Sequence, residues 1–278
     1  MSGGGDYGQS DSGILAAIEA ITAALAAPAA DYFIEVARGN VSGQSIINKF
    51  GRNPDIDNAG GFEAIWNGGG AYTGHNAVVA ETVEIFSGNS VDNAGGTGAQ
   101  SVRVWGLDAN YAQQTEDVTL HATDGTIAVD TANTYIRLDR CKVLTAGSGG
   151  ANAGALTARQ KTTTANIFMV LPIGYNQTMI AAYTIPAGKT GYLLAWFAAT
   201  SGKTNADANV RIRMREFGEV FAVKEELTIK AAGSSYTQRH YDVPKNSLSE
   251  KTDVFIEADA NANDSGISAG FDILLVDN

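Results

Sequence analysis

A single cysteine, Cys141, stands in 278 residues, so no intramolecular disulfide framework can staple the fold. Proline is almost as scarce, 5 against 32 glycines, which suits short strands joined by tight turns. The three histidines, His75, His121 and His240, lack the spacing of metal ligands. Positive charge is short too: 19 Lys and Arg against 30 Asp and Glu leave a net charge of −11. Nucleic-acid binding needs a basic footprint to displace counterions from phosphate, and anionic membranes attract the same sign, so neither is expected as a partner. No run reaches the roughly eighteen apolar residues of a membrane span. What remains is globular: 44% apolar and 18% charged residues, in a chain long enough for two domains with their own cores.

The chain repeats a phrase. Ser101–Leu120 reads SVRVWGLDANYAQQTEDVTL, and Asn209–Ile229 reads NVRIRMREFGEVFAVKEELTI. Each copy opens on Val-Arg and a β-branched residue (Val102-Arg103-Val104; Val210-Arg211-Ile212), breaks, then resumes behind an acidic pair. Val102 to Val118 spans 118 − 102 = 16 positions and Val210 to Leu227 spans 227 − 210 = 17, one residue of slack. Upstream, Tyr72-Thr73 and Tyr183-Thr184 precede the two valines, and ETVEIFSG and LLAWFAATSG lie between. Many short strands at this spacing predict an all-β fold, two tandem β-sandwich (jelly-roll-like) domains behind a short N-terminal helix. The expected parts are an arm and helix over 1–30, a first sandwich over 31–165 and a second over 166–278, with Lys161–Asn166 as connector. Asp31–Gly70 is the least regular stretch: DYFIEVARG reads as a strand, and a long turn-rich loop with buried-looking aromatics follows.

Near the N-terminus, Asp11 and Ser12 offer caps to an Ala-rich segment that Pro28 ends. Ile14, Ile18, Ile21 and Leu25 fall at spacings of 4, 3 and 4, an apolar stripe on one helical face. Ile at both kinds of seam position favours three or four helices over two, so a homotrimer is expected. A helix this short is marginal alone and must dock on its own domain, on symmetry mates or on another protein. A secretory signal would carry basic residues ahead of its apolar core, yet the first Lys or Arg is Arg38, although ALAAPAAD has the small residues of a cleavage site.

Chemistry is harder to find. AGKTG at 187–191 fails as a phosphate loop because Tyr183 stands where the leading Gly belongs; it reads as a hairpin turn presenting Lys189 to solvent. Cys141, in YIRLDRCKV, is out of phase with Ile136 and Leu138 and reads as a small half-buried strand residue, not a nucleophile. Asp55 and Asp57, and again Asp259, Asn261 and Asn263, have the alternating oxygens of a calcium loop, but both lack the closing Glu. Turn chemistry explains both runs as well. No serine–histidine–acid or paired-carboxylate spacing occurs, so neither an enzyme nor a cofactor is expected.

The segments DYFIEVARGNVSGQSIINKFGRNPDID, IWNGGGAYTG, VWGLDANYAQQTEDVTL, YIRLDRCKVLTAGSGG, YTIPAGKTGYL and SAGFDILLVDN resemble a family of structural proteins from tailed bacteriophages. The resemblance covers most of the chain from Asp31 onward and brings no catalytic residues with it. It implies an all-β virion component on the particle surface, with its own copies and the major capsid protein or another virion protein as partners. A capsid decoration (cement) or head-fibre protein, anchored through Ile14, Ile18, Ile21 and Leu25, is the first expectation. A receptor- or glycan-binding module of the tail is the second.

Overall fold

The computed structural model describes residues 13–19, 31–201, 207–230, 235–239 and 247–278. They divide into two compact units, Met1–Ser42 and Gly43–Asn278.

In the first unit, helix α1 covers 13–19 and exposes Ile14, Leu15 and Ile18 by more than half. Ile21 and Leu25, the other half of the expected stripe, lie outside the described residues. The run expected as a strand is instead helix α2, Tyr32–Ala37. Asp31 decides this: its carboxylate accepts the Phe33 and Ile34 amides at 2.9 and 3.3 Å, an N-cap that satisfies first-turn donors. Glu35 then ion-pairs with Arg38 one turn on.

Among its described residues the second unit is built of strands apart from one 3-10 turn, and their pairings are antiparallel. β1 (Gln44–Ile56) and β2 (Glu63–Ala64) come first. β3 (Glu81–Ser87), β4 (Ala99–Leu107), β5 (Gln113–Thr119), β6 (Val129–Tyr135), β7 (Arg137–Ala146), β8 (Leu156–Gln160) and β9 (Ile167–Leu171) form one sandwich, with sheets ordered β6-β3-β8-β9 and β5-β4-β7. β10 (Ala182–Thr184), β11 (Lys189–Thr200), β12 (Ala208–Arg215), β13 (Ala222–Ile229), β14 (Ser235–Arg239), β15 (Ser247–Leu248), β16 (Asp253–Ala260) and β17 (Ser265–Asp277) follow. Their sheets run β1-β17-β11-β14, with β15 beside β11, and β10-β16-β12-β13, with β2 beside β16.

The repeated phrase is the same hairpin twice. Val102 pairs with Val118, and Val210 with Leu227. The slack residue is Lys224, skipped where the β12–β13 register passes from Ile212↔Glu225 to Arg213↔Val223, a β-bulge. Strand orders match as well: β6-β3-β8-β9 corresponds to β14-β11-β17-β1, and β5-β4-β7 to β13-β12-β16.

The pairing does not follow the expected halves. β1 from the chain start fills beside β17 the place that β9 fills beside β8. The sandwiches are therefore nested: the strands β3–β9 form an insert in a jelly roll that residues 44–64 begin and 182–277 complete. The connector expected at 161–166 is a hairpin loop, because Glu81 accepts the Thr162 and Thr163 amides at 2.7 and 3.1 Å and Gln160 bonds Asn166. The stretch read as a long loop contains the 13-residue β1, paired from Gln44↔Val276 to Ile56↔Ser265 and bulged around Pro54.

Each sandwich has its own core. One gathers Val83, Val102, Tyr135, Leu156 and Phe168, the other Ile56, Trp196, Val210, Ile256 and Phe271. Two short segments serve both. Ala64, Trp66, Ile180 and Ala182 enter the first core, while Ile65, Ala181 and Tyr183 between them enter the second. Strand alternation makes one shared wall. Gly51 lets β1 reach it: a Cβ there would lie 2.1 Å from the Ile65 carbonyl oxygen and 2.5 Å from the Ala181 amide.

Removing residues 1–42 should leave the cooperative melt of Gly43–Asn278 intact. Removing 1–57 should abolish it, because β17 loses its partner and the second core loses Ile56; equal melts of the two truncations would contradict this nesting.

Candidate functional site

The seam between the sandwiches holds a dense cluster of buried charge. Asp253, first residue of β16, is 2% exposed, and Arg137, first residue of β7, is 3% exposed. Arg137 donates to both Asp253 oxygens, Nε at 2.9 Å and Nη2 at 3.0 Å, and Nη1 donates to the Ala77 and Ile136 carbonyls at 2.8 Å each. Arg215, at the end of β12, adds Nη2 at 2.6 Å to Asp253 and the same distance to the His75 carbonyl. Thr184 Oγ1 donates to Asp253 at 2.6 Å. One carboxylate thus collects a guanidinium from each sandwich. Removing one partner from a buried pair of this kind costs about 3–5 kcal/mol, since a desolvated charge is left alone.

His75 sits against this cluster among Tyr72, Phe221 and Phe255, with ring centroids 4.9, 5.8 and 5.8 Å away. Burial, helped by Arg137 and Arg215 and opposed by Asp253, pulls its imidazole down to about 3, so it is neutral at pH 7. Its Nε2, 3.7 Å from Asp253, is then no ion pair, and its Nδ1 is buried without a partner. Burial works against the Asp253 charge, but His75 in acid, Arg137 and Thr184 hold the carboxyl below the usual range.

A second pair lies along the same seam. Asp139 is the extra residue of a bulge, where the β4–β7 register passes from Trp105↔Arg140 to Gly106↔Leu138. The bulge changes the phase of β7, so Leu138 and Cys141 both turn inward. Cys141 is therefore fully buried rather than half-buried, and burial pushes its thiol up to about 12. Lys49 of β1 donates its ammonium to the Asp139 carbonyl. Burial raises the Asp139 carboxyl and lowers the Lys49 ammonium, each charge opposing the other's shift. This pair lines a cleft of about 470 Å³ that also meets Trp105, Phe50, Ile180 and Tyr183.

The two partial calcium patterns meet in space. The Asn58 amide donates to Asn263 Oδ1 at 3.0 Å, and carboxylate oxygens of Asp55, Asp57 and Asp264 lie within 4.8 Å of one another. Asp259 and Asn261 do not join them: Asp259 of β16 pairs with Asn209 of β12 and Asn261 accepts the Asp207 amide at 2.8 Å. The Asp57 charge first, then local desolvation and the charges of Asp264 and Glu63, keep the exposed Asp55 carboxyl above its ordinary value. Such oxygen donors suit a hard cation.

The other residues singled out from sequence stay apart. His121 accepts the Thr123 and Asp124 amides at 3.5 and 3.3 Å, a turn role, and His240 lies outside the described residues. Lys189 does not simply face solvent; it pairs with Asp277 of β17. Sequence reasoning missed Lys49, Arg137, Asp139 and Asp253. The available signal was the charge inside YIRLDRCKV, a run otherwise fit for a core strand.

No family model matches the chain, and neither does any curated protein. Among solved structures it is similar to two described as infectious bursal disease virus. With the Gt strain it shares 10% identity over 89% of this chain and 78% of that one, at a TM-score of 0.21. With the Gx strain the figures are 8%, 88%, 80% and 0.20. Likeness of this degree carries no argument for fold or function.

Two outcomes test this description. Below pH 6.5 the unfolded chain protonates an imidazole that the folded chain keeps neutral down to about 3, so acid removes stability across that window. The loss between pH 7 and 5 should be about 2 kcal/mol in urea melts, and His75→Gln should flatten it. At Asp55 the sign is reversed: a raised carboxyl disfavours the folded state above its ordinary value. Asp55→Asn should therefore raise the melting temperature in calcium-free, low-salt buffer, with no gain left near pH 3; a lower melting temperature would show that the carboxylates do not repel.

Proposed function

We propose that this chain is a virion structural protein of a tailed bacteriophage, a capsid decoration or head-fibre protein present in many copies. The observation that carries the reading is α1, which leaves Ile14, Leu15 and Ile18 at 56%, 59% and 55% exposure. Large apolar side chains at that exposure on a short helix call for a partner surface. The resemblance of the sequence to phage structural proteins and the all-β architecture support the same reading. Ile21 and Leu25 continue the stripe in sequence, and four buried Ile or Leu contribute about 6–12 kcal/mol before ordering costs. That is enough to hold a trimer or a capsid site while three bodies of charge −11 repel, with salt screening them beyond about 8 Å. On this reading the protein is not an enzyme, and its partners are its own copies and another virion protein.

A tail-associated glycan-binding module is the second reading, favoured by one observation, the cleft beside Trp105. Copy number separates the two, since a decoration protein occupies the many capsid sites and a tail module only a few. Deleting residues 1–28 should leave the sandwiches folded yet abolish trimerisation in sedimentation and binding to undecorated particles. A truncated protein that still assembles and still decorates would refute attachment through the helix.

A further inference from the structure

The cleft between the sandwiches has the make-up of a ligand site. Its volume, about 470 Å³, falls in the range of small-ligand pockets. Its walls are of two kinds. Phe50, Ile180 and the half-exposed indole of Trp105 are apolar, while Lys49, Asp139 and Tyr183 bring polar atoms to the same space. The Tyr183 hydroxyl is the telling group. Tyr183 is 3% exposed, and its oxygen is buried with no hydrogen-bond partner. A buried hydroxyl left unpaired is costly, and a ligand oxygen in the cleft would satisfy it. The bulge that turns Asp139 into the seam is a second irregularity of the kind concentrated beside binding sites.

Charge narrows the ligand. Arg103, Arg140 and Lys142 surround Trp105, with their charged ends 5.9, 5.7 and 5.6 Å from its ring centroid. Arg103 is neutralised by a bidentate contact with Asp117 at 2.5 and 2.7 Å. Arg140 is exposed and donates through Nη2 to the neutral Gln177 amide at 2.8 Å, which leaves its charge uncompensated there. A cationic spot beside a flat apolar ring is unusual on a chain of charge −11. The exposed Gln113 amide at the rim offers both a donor and an acceptor. A purely apolar ligand would leave these groups unpaired. A ligand with a flat C–H face, several hydroxyls and one negative charge meets all of them.

We propose that this cleft binds an acidic saccharide, a pyranose resting on Trp105 with its hydroxyls toward Tyr183 and Asp139 and its carboxylate toward Arg140 and Lys142. The Trp105 platform belongs to the inserted sandwich, while Lys49, Phe50 and Tyr183 close the cleft from the jelly roll. Aligning Val102 with Val210 sets Arg213 at the place of Trp105, and Arg213 is committed to Glu257 at 3.3 Å and to the Phe221 carbonyl at 3.1 Å. The proposal does not rest on attachment through α1, because no residue of the first unit takes part.

Saturation-transfer NMR and calorimetry on the full chain test it, with glucuronate, galacturonate and N-acetylneuraminate as probes, cellobiose as the neutral control and acetate as the bare anion. At least one sugar acid should bind at millimolar concentration, more tightly than cellobiose or acetate. Trp105→Ala should weaken it by about tenfold, and Arg140→Gln should remove the preference over cellobiose. Tyr183→Phe should weaken it by about fivefold while the unliganded protein melts no lower, because its hydroxyl has no protein partner to lose. Silence from all three acids, equal binding of cellobiose, or wild-type affinity in Trp105→Ala would overturn the assignment.

Discussion

A carboxylate nearly closed to water, that of Asp253, holds guanidinium groups from both sandwiches, and the seam is arranged around it. Arg137 reaches it from the inserted sandwich and Arg215 from the jelly roll, while their remaining donors fix the carbonyls of Ala77, Ile136 and His75. Hydrogen bonds of this kind are directional, so they set the angle at which the sandwiches meet more sharply than the apolar contacts around them. Hydrophobic burial alone would tolerate a slide along the shared wall of 64–66 and 180–183. The charge cluster does not. Its cost is that every ionisable neighbour is desolvated, which is why His75 and Asp139 depart so far from their ordinary behaviour.

Much of the fold was legible in the residues because it is local. Strands β3–β14, β16 and β17 were readable from short apolar runs between Gly and Asn turns, the two-residue β15 was not, and the Val102 and Val210 hairpins followed from a spacing that proved to be a paired register with one bulge. What could not be read is set by distant partners. DYFIEVARG has the composition of a strand, and one hydrogen-bonding side chain, Asp31, makes it a helix. QSIINKFGRNPDI looks irregular alone and becomes a strand because β17 lies beside it. The seam charges had no spacing signature, since Arg137 and Asp253 are 116 positions apart. The calcium-like runs were visible singly, but their junction through Asp264 was not.

The correspondence of the two hairpins brings out a division of labour between the sandwiches. The outward side of one hairpin strand carries Arg103 and Trp105, and the corresponding side of the other carries Arg211, Arg213 and Arg215. In the second copy all three are spent on Glu257 and Asp253 at the seam. In the first copy the same surface stays open and becomes aromatic and cationic. The same hairpin arrangement thus serves once as an internal joint and once as an outer face.

The pairing of β1 with β17 also imposes an order on synthesis. β1 leaves the ribosome ahead of β3–β16, yet β17, its partner among the described residues, is made after all of them. For the whole time in which β3–β9 emerge and can close on themselves, β1 waits with both edges bare, Ile46, Ile47 and Phe50 among its side chains. Such a waiting strand invites wrong partners, above all the same strand of a neighbouring nascent chain. Lys49 and Arg52, placed within it, and Pro54 near its end are the residues that keep an unpaired strand from being a good template. The lysine that finishes beside Asp139 thus has an earlier employment, as a guard on a strand whose partner does not yet exist.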